Sequence, residues 1–468
     1  MLAWALLLWG PPALAADVVL THARLWDGTG APVVEQAWVA VQDGRFTATG
    51  QGEPPAGPQV DLGGRVVIPG LVDVHTHPWA VPGAALREET EPSLEEARRH
   101  GLRATLACGV TTVLDAASSF DAIQTLRAWE AEGLPSPRLY FLGPTMGPTD
   151  GYVDAFIEGH PGIDDLDDAR RHLDRLVEVG ALGAKLTIED GYFLPVLPVH
   201  EQALREQIVA EARARGLPVF VHAQHRDAHE QALALRPHAV MHMVRERPGD
   251  LPAHYAAQGT PLVSTLQLDA SPLWTVDERD LDDPLARLVV PEAQRRTATS
   301  RRGWRRYERG MARVSLPHSP GALVSLASFG MPTLDYLRAV AARSLRTARR
   351  MHEAGVSLVM GSDAGAYDEI PFYFHGLSSL REVELLTLAG LSPEQALLAA
   401  TRDAAALLGL SGQVGVVAPG AWADLVVLDA DPLQDPRALR QLHRVMRAGE
   451  LRTPEAWLRG SPRAHDAW

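Results

Sequence analysis

The chain has 468 residues with a formal net charge of −14; 46% of residues are apolar and 22% charged. That length and composition fit a large globular core, and an α/β barrel can absorb more than half of such a chain as one unit. The acidic balance argues against nucleic acid as a partner, because phosphate backbones select basic surfaces.

In chain order, the first element is an apolar run, Leu2 to Trp9, followed by Ala13-Leu-Ala15. A short apolar stretch ending in a small-x-small site reads as a cleavable export signal over residues 1–15, too short to span a bilayer. The expected location is secreted or periplasmic, and no later segment reads as a membrane span. From Val18 the pattern becomes short strands, at Val18–Leu20, Ala37–Val41 and Arg45–Thr49, with a hairpin signal at Asp43-Gly44. The far end is similar, with strands at Asp424–Asp429 and Arg444–Glu450. Neither end holds enough apolar area to stand alone, so residues 16–69 and 411–451 are expected to join as one small β-sandwich.

Between them, over residues 70–410, short apolar strands alternate with helical stretches. The strands are expected at Leu71–His75, Thr111–Ala116, Leu139–Leu142, Ala184–Ile188, Val219–His222, Ala239–His242, Pro261–Thr265 and Ser357–Gly361. Eight βα units predict an α/β fold of the (β/α)8 TIM-barrel type. Helices are predicted at Leu94–Cys108, Leu166–Val179, Glu201–Arg215 and Leu334–Ala354. The interval 267–332 reads as an irregular insertion, a lid or binding loop rich in Arg and Trp. Arg302 and Arg305 within it, with their neighbour Arg306, are candidates for holding a substrate carboxylate.

Two residues stand out by chemistry. Cys108 is the lone cysteine, so an intramolecular disulfide is impossible; its apolar setting in Leu106–Val110 predicts an inert buried thiol. Lys185 is the lone lysine, every other basic residue of the 44 being arginine. Arginine can replace lysine on most solvated surfaces, but its guanidinium does not lose its proton and react. A position that stays lysine is therefore a candidate for an amine that reacts.

His75 and His77 lie two apart at the end of a predicted strand, so both imidazoles share one face. At the C-terminal mouth of a barrel they form a chelating pair for a metal. Their setting, Val66-Val-Ile-Pro-Gly-Leu-Val-Asp-Val-His-Thr-His-Pro78, closely resembles the first-strand signature of the amidohydrolase superfamily. Gly109–Asp115, Leu217–His222, His238–His242 and Val359–Gly365 resemble its second, fifth, sixth and eighth strands. Thr401–Ala405 and Gly415–Leu428 resemble its closing segment, so the similarity spans roughly Val18 to Leu451.

The resemblance implies a metal-dependent hydrolase of carbon–nitrogen bonds. Lys185, in Gly183-Ala-Lys-Leu-Thr187, falls where binuclear members carry a lysine whose amine takes up carbon dioxide to give a bridging carbamate. It implies that His75, His77 and Asp363 hold one divalent metal and His222 and His242 the other, with carboxylated Lys185 shared. Such donors suit zinc best. His238 is read as a strand residue, and His225, His229 and His375 receive no metal role. The mechanism implied is attack by metal-bound hydroxide, with Asp363 as the proton carrier. Tyr192 and His225, which follow barrel strands, are candidate substrate contacts.

The substrate class expected is an amide, a dipeptide or N-acyl amino acid as in prolidase-type members. A cyclic amide, as in hydantoinase-like members, is the alternative. The deaminase pattern HxxE is absent, since this stretch reads His222-Ala-Gln-His225. A non-catalytic binding protein on the same fold is the reading of another class. A small-molecule substrate is expected as partner, with a homo-oligomer as a further expectation.

Overall fold

A computed structural model describes residues 16–86, 92–154, 162–191, 197–274, 281–307 and 333–459, apart from 367 and 369. The export segment and Tyr192 lie outside the described residues.

Strands from both ends of the chain build one sheet. Its members are β1 (Val18–Leu25), β2 (Val34–Gln42), β3 (Arg45–Gly50), β4 (Gln59–Asp61), β5 (Val66–Pro69), β14 (Leu425–Leu428), β15 (Leu442–Arg447) and β16 (Glu450–Arg452). They are hydrogen-bonded in the order β16-β15-β14-β5-β1-β2-β3, with β4 also on β1. The β2–β3 hairpin turns at Asp43 and Gly44, both in the left-handed region (φ 51° and 70°) that this tight turn requires. Val39, Phe46, Val67, Leu425 and Val427 form a buried core of this sheet. β5, in the N-terminal half, pairs antiparallel with β14 from the far end, so the two termini close on each other.

The middle of the chain is parallel α/β. β6 (Leu71–Thr76), β7 (Val110–Asp115) and β8 (Arg138–Phe141) form one sheet; β9 (Ala184–Thr187), β10 (Val219–His222), β11 (Ala239–Met241), β12 (Leu262–Val263) and β13 (Leu358–Val359) form a second. All pairings within the two sheets are parallel. Backbone bonds join the sheets at both edges. Asp363 N donates to His75 O (2.8 Å) beyond β13, and Leu182 N donates to Phe141 O (2.8 Å) before β9. Single parallel bridges, Thr76 with Ala364 and Met146 with Leu186, lie on the same two seams. The strands are short and, apart from the half-buried Arg138 and Tyr140 of β8, buried, as a sheet covered by helices demands.

The helices between strands begin on side-chain caps. Ser93 caps Leu94–Ala107, Ser119 caps Phe120–Ala131 and Asp165 caps Leu166–Glu178, each accepting a backbone N–H in the first turn. Glycine is needed at position 361, where a Cβ would sit 2.7 Å from His75 Cβ and 2.4 Å from Val263 Cγ1. That absence of a side chain lets the end of β13 approach β6.

The interval 267–332 departs from expectation. Its described part is helical, not irregular: Leu266–Trp274, Pro284–Val289, Glu292–Thr299 and a further turn over 301–307. Among the described prolines of the interval, Pro272 lies inside the helix Leu266–Trp274, while two others sit at helix starts. Pro284 occupies the first turn behind the Asp283 cap, and Pro291 is itself the residue before Glu292; missing N–H groups cost nothing there. Trp304, Tyr307 and Phe372 then pack edge to face, anchoring 301–307 to the segment after β13.

Candidate metal centre

Five strand ends deliver six polar groups to the same small volume. His75 and His77 come from β6 and its end, Lys185 from β9 and His222 from β10, while His242 follows β11 and Asp363 follows β13. His75, Lys185, His222, His242 and Asp363 are all buried, whereas the His77 side chain keeps 20% exposure. One ligand atom each from His75, His242 and Asp363 lies within 4.8 Å of the others. His77 Nε2 is 2.8 Å and His75 Nε2 3.3 Å from Asp363 Oδ1. Lys185 Nζ is 3.3 Å from His75 Nε2. The rings of His222 and His242 meet at 4.3 Å between centroids.

The strand geometry explains the placement. His75 and His77 share a face across Thr76, as alternation requires. His242 and Asp363 do something sequence spacing does not announce: both leave the strand with left-handed backbones, φ 81° and 57°. Such conformations cost roughly 1–3 kcal/mol in non-glycine residues and persist where surrounding bonds over-determine them. For Asp363 those bonds are visible. Buried Asp73 accepts from Ser362 N (3.0 Å), Ser362 Oγ (2.5 Å), Ser379 Oγ (2.7 Å) and His75 N (3.1 Å), pinning the residues beside both His75 and Asp363. For His242, Thr265 Oγ1 stands 3.0 Å from Nδ1.

Electrostatics in the cluster follow from burial. Burial pushes the Lys185 ammonium down to about 8, against the opposing pull of Asp363 and Asp115. His75 is lowered to about 3 chiefly by burial, with Lys185 adding to the effect, and His222 and His242 are lowered for the same reasons. Burial alone would raise Asp363, but the imidazoles of His75 and His77 outweigh it and hold the carboxylate well below its usual range. His75, His222 and His242 are therefore neutral imidazoles and Asp363 an ionised carboxylate, the protonation states in which these groups bind cations.

The other expected contacts separate. His225 closes an ionic clasp: Nε2 is 3.1 Å from Glu189 Oε1 and Nδ1 3.3 Å from Glu246 Oε1. Glu189 lies four residues past Lys185, His225 three past His222 and Glu246 four past His242. The clasp thus ties together the three loops that follow β9, β10 and β11. His225 thus stands between two carboxylates at ion-pair distance. Burial would lower its pKa, but Glu189 and Glu246 prevail and raise it to about 9. The folded pKa exceeds the unfolded one, so this clasp stabilises fully below about 6.5 and fades as pH rises through about 9. Replacing His225 with Asn should therefore cost about 2 kcal/mol near neutrality, after allowing for partial exposure. Urea unfolding of both proteins across pH should show the gap narrowing from about pH 6.5 upward and nearly closed above about pH 9; a gap independent of pH would refute the charged clasp.

Arg302 and Arg305 are solvent-exposed, and neither is joined to the cluster by a hydrogen bond or ion pair among the described residues. His238 precedes β11 and its Nε2 meets Leu407 O (2.8 Å). His229 Nδ1 pairs with Tyr255 OH (2.6 Å), and His375 Nε2 with Ala80 O (2.8 Å), both structural contacts. Cys108 is buried, with its pKa raised by that burial. Sequence reasoning passed over Asp73, Thr265, Ser379, Glu189 and Glu382. Only Asp73 carried a signal, its place two residues before His75.

The sequence pattern of the amidohydrolase family matches residues 66–452, most of the chain and every residue of the cluster. The chain belongs to the amidohydrolase family. Among curated relatives of this amidohydrolase, an uncharacterised protein of Mycobacterium bovis is 33% identical over 149 residues, 31% of this chain and 22% of the relative. The chain thus spans about a fifth of that relative's length. An imidazolonepropionase of Symbiobacterium thermophilum is 28% identical over 426 residues, 85% of each chain. Among solved structures, a Xaa-Pro dipeptidase with bound methionine superposes with a TM-score of 0.69 at 20% identity, covering 93% of this chain and 99% of that one. Molinate hydrolase gives 0.67 at 20% identity over 97% and 99%, and an ochratoxinase of A. niger 0.66 at 18% over 93% and 96%. These likenesses place the chain in the TIM-barrel fold with an attached β domain. No helix among the described residues is long and apolar enough to cross a membrane.

Proposed function

We propose that this amidohydrolase hydrolyses an amide C–N bond with two divalent metals, held by His75, His77 and Asp363 on one side, by His222 and His242 on the other, and bridged by carboxylated Lys185. The two seams of backbone bonds support a closed eight-stranded barrel around them. The observation that carries the reading is the spacing of donors around His75. Asp363 Oδ1 stands 3.3 Å from His75 Nε2, and Lys185 Nζ, whose carbamate oxygens and not its nitrogen would be the ligands, lies beside the same imidazole. Ligands on a tetrahedral metal with bonds of about 2.0–2.1 Å lie roughly 3.4 Å apart. The Nε2 atoms of His222 and His242 are buried without a hydrogen-bond partner; buried polar atoms rarely stay so, unless an ion is their partner. Zinc is the metal best matched to these donors.

A bound metal pair would supply a Lewis acid for the carbonyl and an acidified water. The chain's own residues do the rest. Lys185 Nζ, first losing a proton to solvent to become the neutral amine, forms a bond to the carbon of carbon dioxide as one C=O electron pair moves to oxygen, and then releases a second proton to solvent; the resulting carbamate is an anion with oxygens to share. Asp363, held ionised, accepts a proton from the attacking water at a carboxylate oxygen and returns it to the leaving nitrogen. The clasp of Glu189, His225 and Glu246 and the Asp73 network keep the strand ends from drifting.

The proposed substrate is a dipeptide or N-acyl amino acid, in keeping with the neighbour named as a Xaa-Pro dipeptidase. The relative named imidazolonepropionase favours a cyclic amide as the second reading. Export through the 1–15 segment is part of the proposal, checked by the N-terminus of the mature protein. The deciding experiment combines metal analysis with hydrolysis of dipeptides, N-acyl amino acids and cyclic imides. Bound divalent metal at about two per chain, with activity abolished by chelators, is expected. A metal-free protein that binds such compounds intact would replace this reading with that of a binding protein.

A further inference from the structure

We propose that Glu382, on the helix Leu377–Leu388, is a positioning residue for His242 and acts through Thr265. The inference rests on His242 being a metal ligand, as proposed above. Glu382 has no solvent exposure, and its carboxylate grips one short stretch of backbone from both sides of Thr265. Ser264 Oγ (2.5 Å) and Leu266 N (2.9 Å) donate to Oε1, and Gln267 N (2.7 Å) donates to Oε2. Burial raises the carboxyl to about 8 against these donors, so this placement is costly and the donors must offset it.

The gripped residue is itself strained. Thr265 has φ 42°, a left-handed value that a β-branched residue avoids, and its N–H donates to Gly361 O (3.0 Å). That twist sets Thr265 Oγ1 at 3.0 Å from His242 Nδ1. With Nδ1–H donating to the hydroxyl, the tautomer leaves Nε2 as the free lone pair, the buried atom without a hydrogen-bond partner. Glu382 thus fixes Thr265, and Thr265 fixes both the rotation and the tautomer of His242. Gln267, held by the same carboxylate, also reaches Ser362 O (2.5 Å), one residue before Asp363. A helix cap alone would not require a carboxylate gripping Ser264 as well as the first N–H groups.

The test uses the full chain loaded with zinc or cobalt. Metal affinity is read by chelator competition, and cobalt geometry by visible absorption, with melting followed in parallel. Glu382→Gln should weaken one of the two metals by about 10–100-fold and alter its cobalt spectrum. Thr265→Val, which keeps the β-branch and loses the hydroxyl, should do the same, while Thr265→Ser should restore binding. The double variant Glu382→Gln/Thr265→Val should be no worse than either single one, because both act on one contact. Should Glu382→Gln not fold, Glu382→Asp carries the comparison. Losses that multiply in the double variant, or wild-type affinity in Glu382→Gln at any melting temperature, would overturn the inference alone. A wild-type chain that binds no metal would overturn the functional reading, and this inference with it.

Discussion

Replacing Lys185 with Arg should leave the barrel folded and abolish most hydrolysis. The position tolerates bulk poorly, since Lys185 is only 3% exposed, but the larger effect is chemical. Burial brings the amine to about 8, so roughly one in ten is neutral and nucleophilic at pH 7, against roughly one in three thousand for an ordinary lysine. Arginine stays charged and cannot form a carbamate. A guanidinium beside His75 would also repel the cations that the other donors attract. If the metals supply several kcal/mol of transition-state stabilisation, activity should fall by at least about 10³-fold, each factor of ten being about 1.4 kcal/mol. The measurements are kcat/KM, bound metal, and the mass of intact protein in carbon dioxide-rich and carbon dioxide-free buffer. Wild type should gain the mass of one carbon dioxide and regain activity with bicarbonate. An Arg variant with full activity would remove Lys185 from the mechanism and leave the fold untouched.

Lys185 was legible in the sequence for a reason that also shows the limits of such reading. It stood out because arginine fills every other basic position, and the motifs around it fixed its strand. The same holds for His75, His77, His222 and Asp363, each in a contiguous pattern on one strand end. The strand ladder was legible because short apolar runs alternate with longer amphipathic ones, and predicted strands such as Val219–His222 coincide with those observed. What was illegible depends on distance along the chain. Glu382 meets Ser264 across 118 residues, and Ser379 meets Asp73 across 306. In Leu380-Arg-Glu-Val-Glu384 the glutamate looks like an ordinary solvated charge; only the packing of its helix against the end of β12 buries it. His225 shows the converse. Its place after β10 suggested a substrate contact, and nothing in the local sequence announced the carboxylates of Glu189 and Glu246, on neighbouring loops, at ion-pair distance from its ring. The helices in the described part of 267–332 were not legible, although Pro284 and Pro291 stand where two of them begin.

Asp363 is the residue whose loss separates binding of metal from movement of the proton. Asparagine is the informative replacement. The backbone at 363 has φ 57°, and asparagine tolerates that region, whereas alanine would add about 1 kcal/mol of strain. Asparagine also keeps a carbonyl oxygen where Oδ1 meets His75 and His77, so the donor geometry survives while the negative charge and the basic oxygen do not. The carboxylate is held ionised by those two imidazoles, so both its oxygens are unprotonated when the reaction starts. Proton transfer by a positioned side chain contributes about 10²–10⁴-fold, and Asp363→Asn should lose that much in kcat. KM should change far less, because the group acts on the reacting water and not on the bound substrate. Metal analysis of the same sample decides between causes. A variant that retains both metals and loses kcat establishes Asp363 as the proton carrier. One that retains both metals and full kcat assigns the proton to another group, and among the described buried carboxylates Asp115, raised by burial and facing both Lys185 and His77, is the next to substitute.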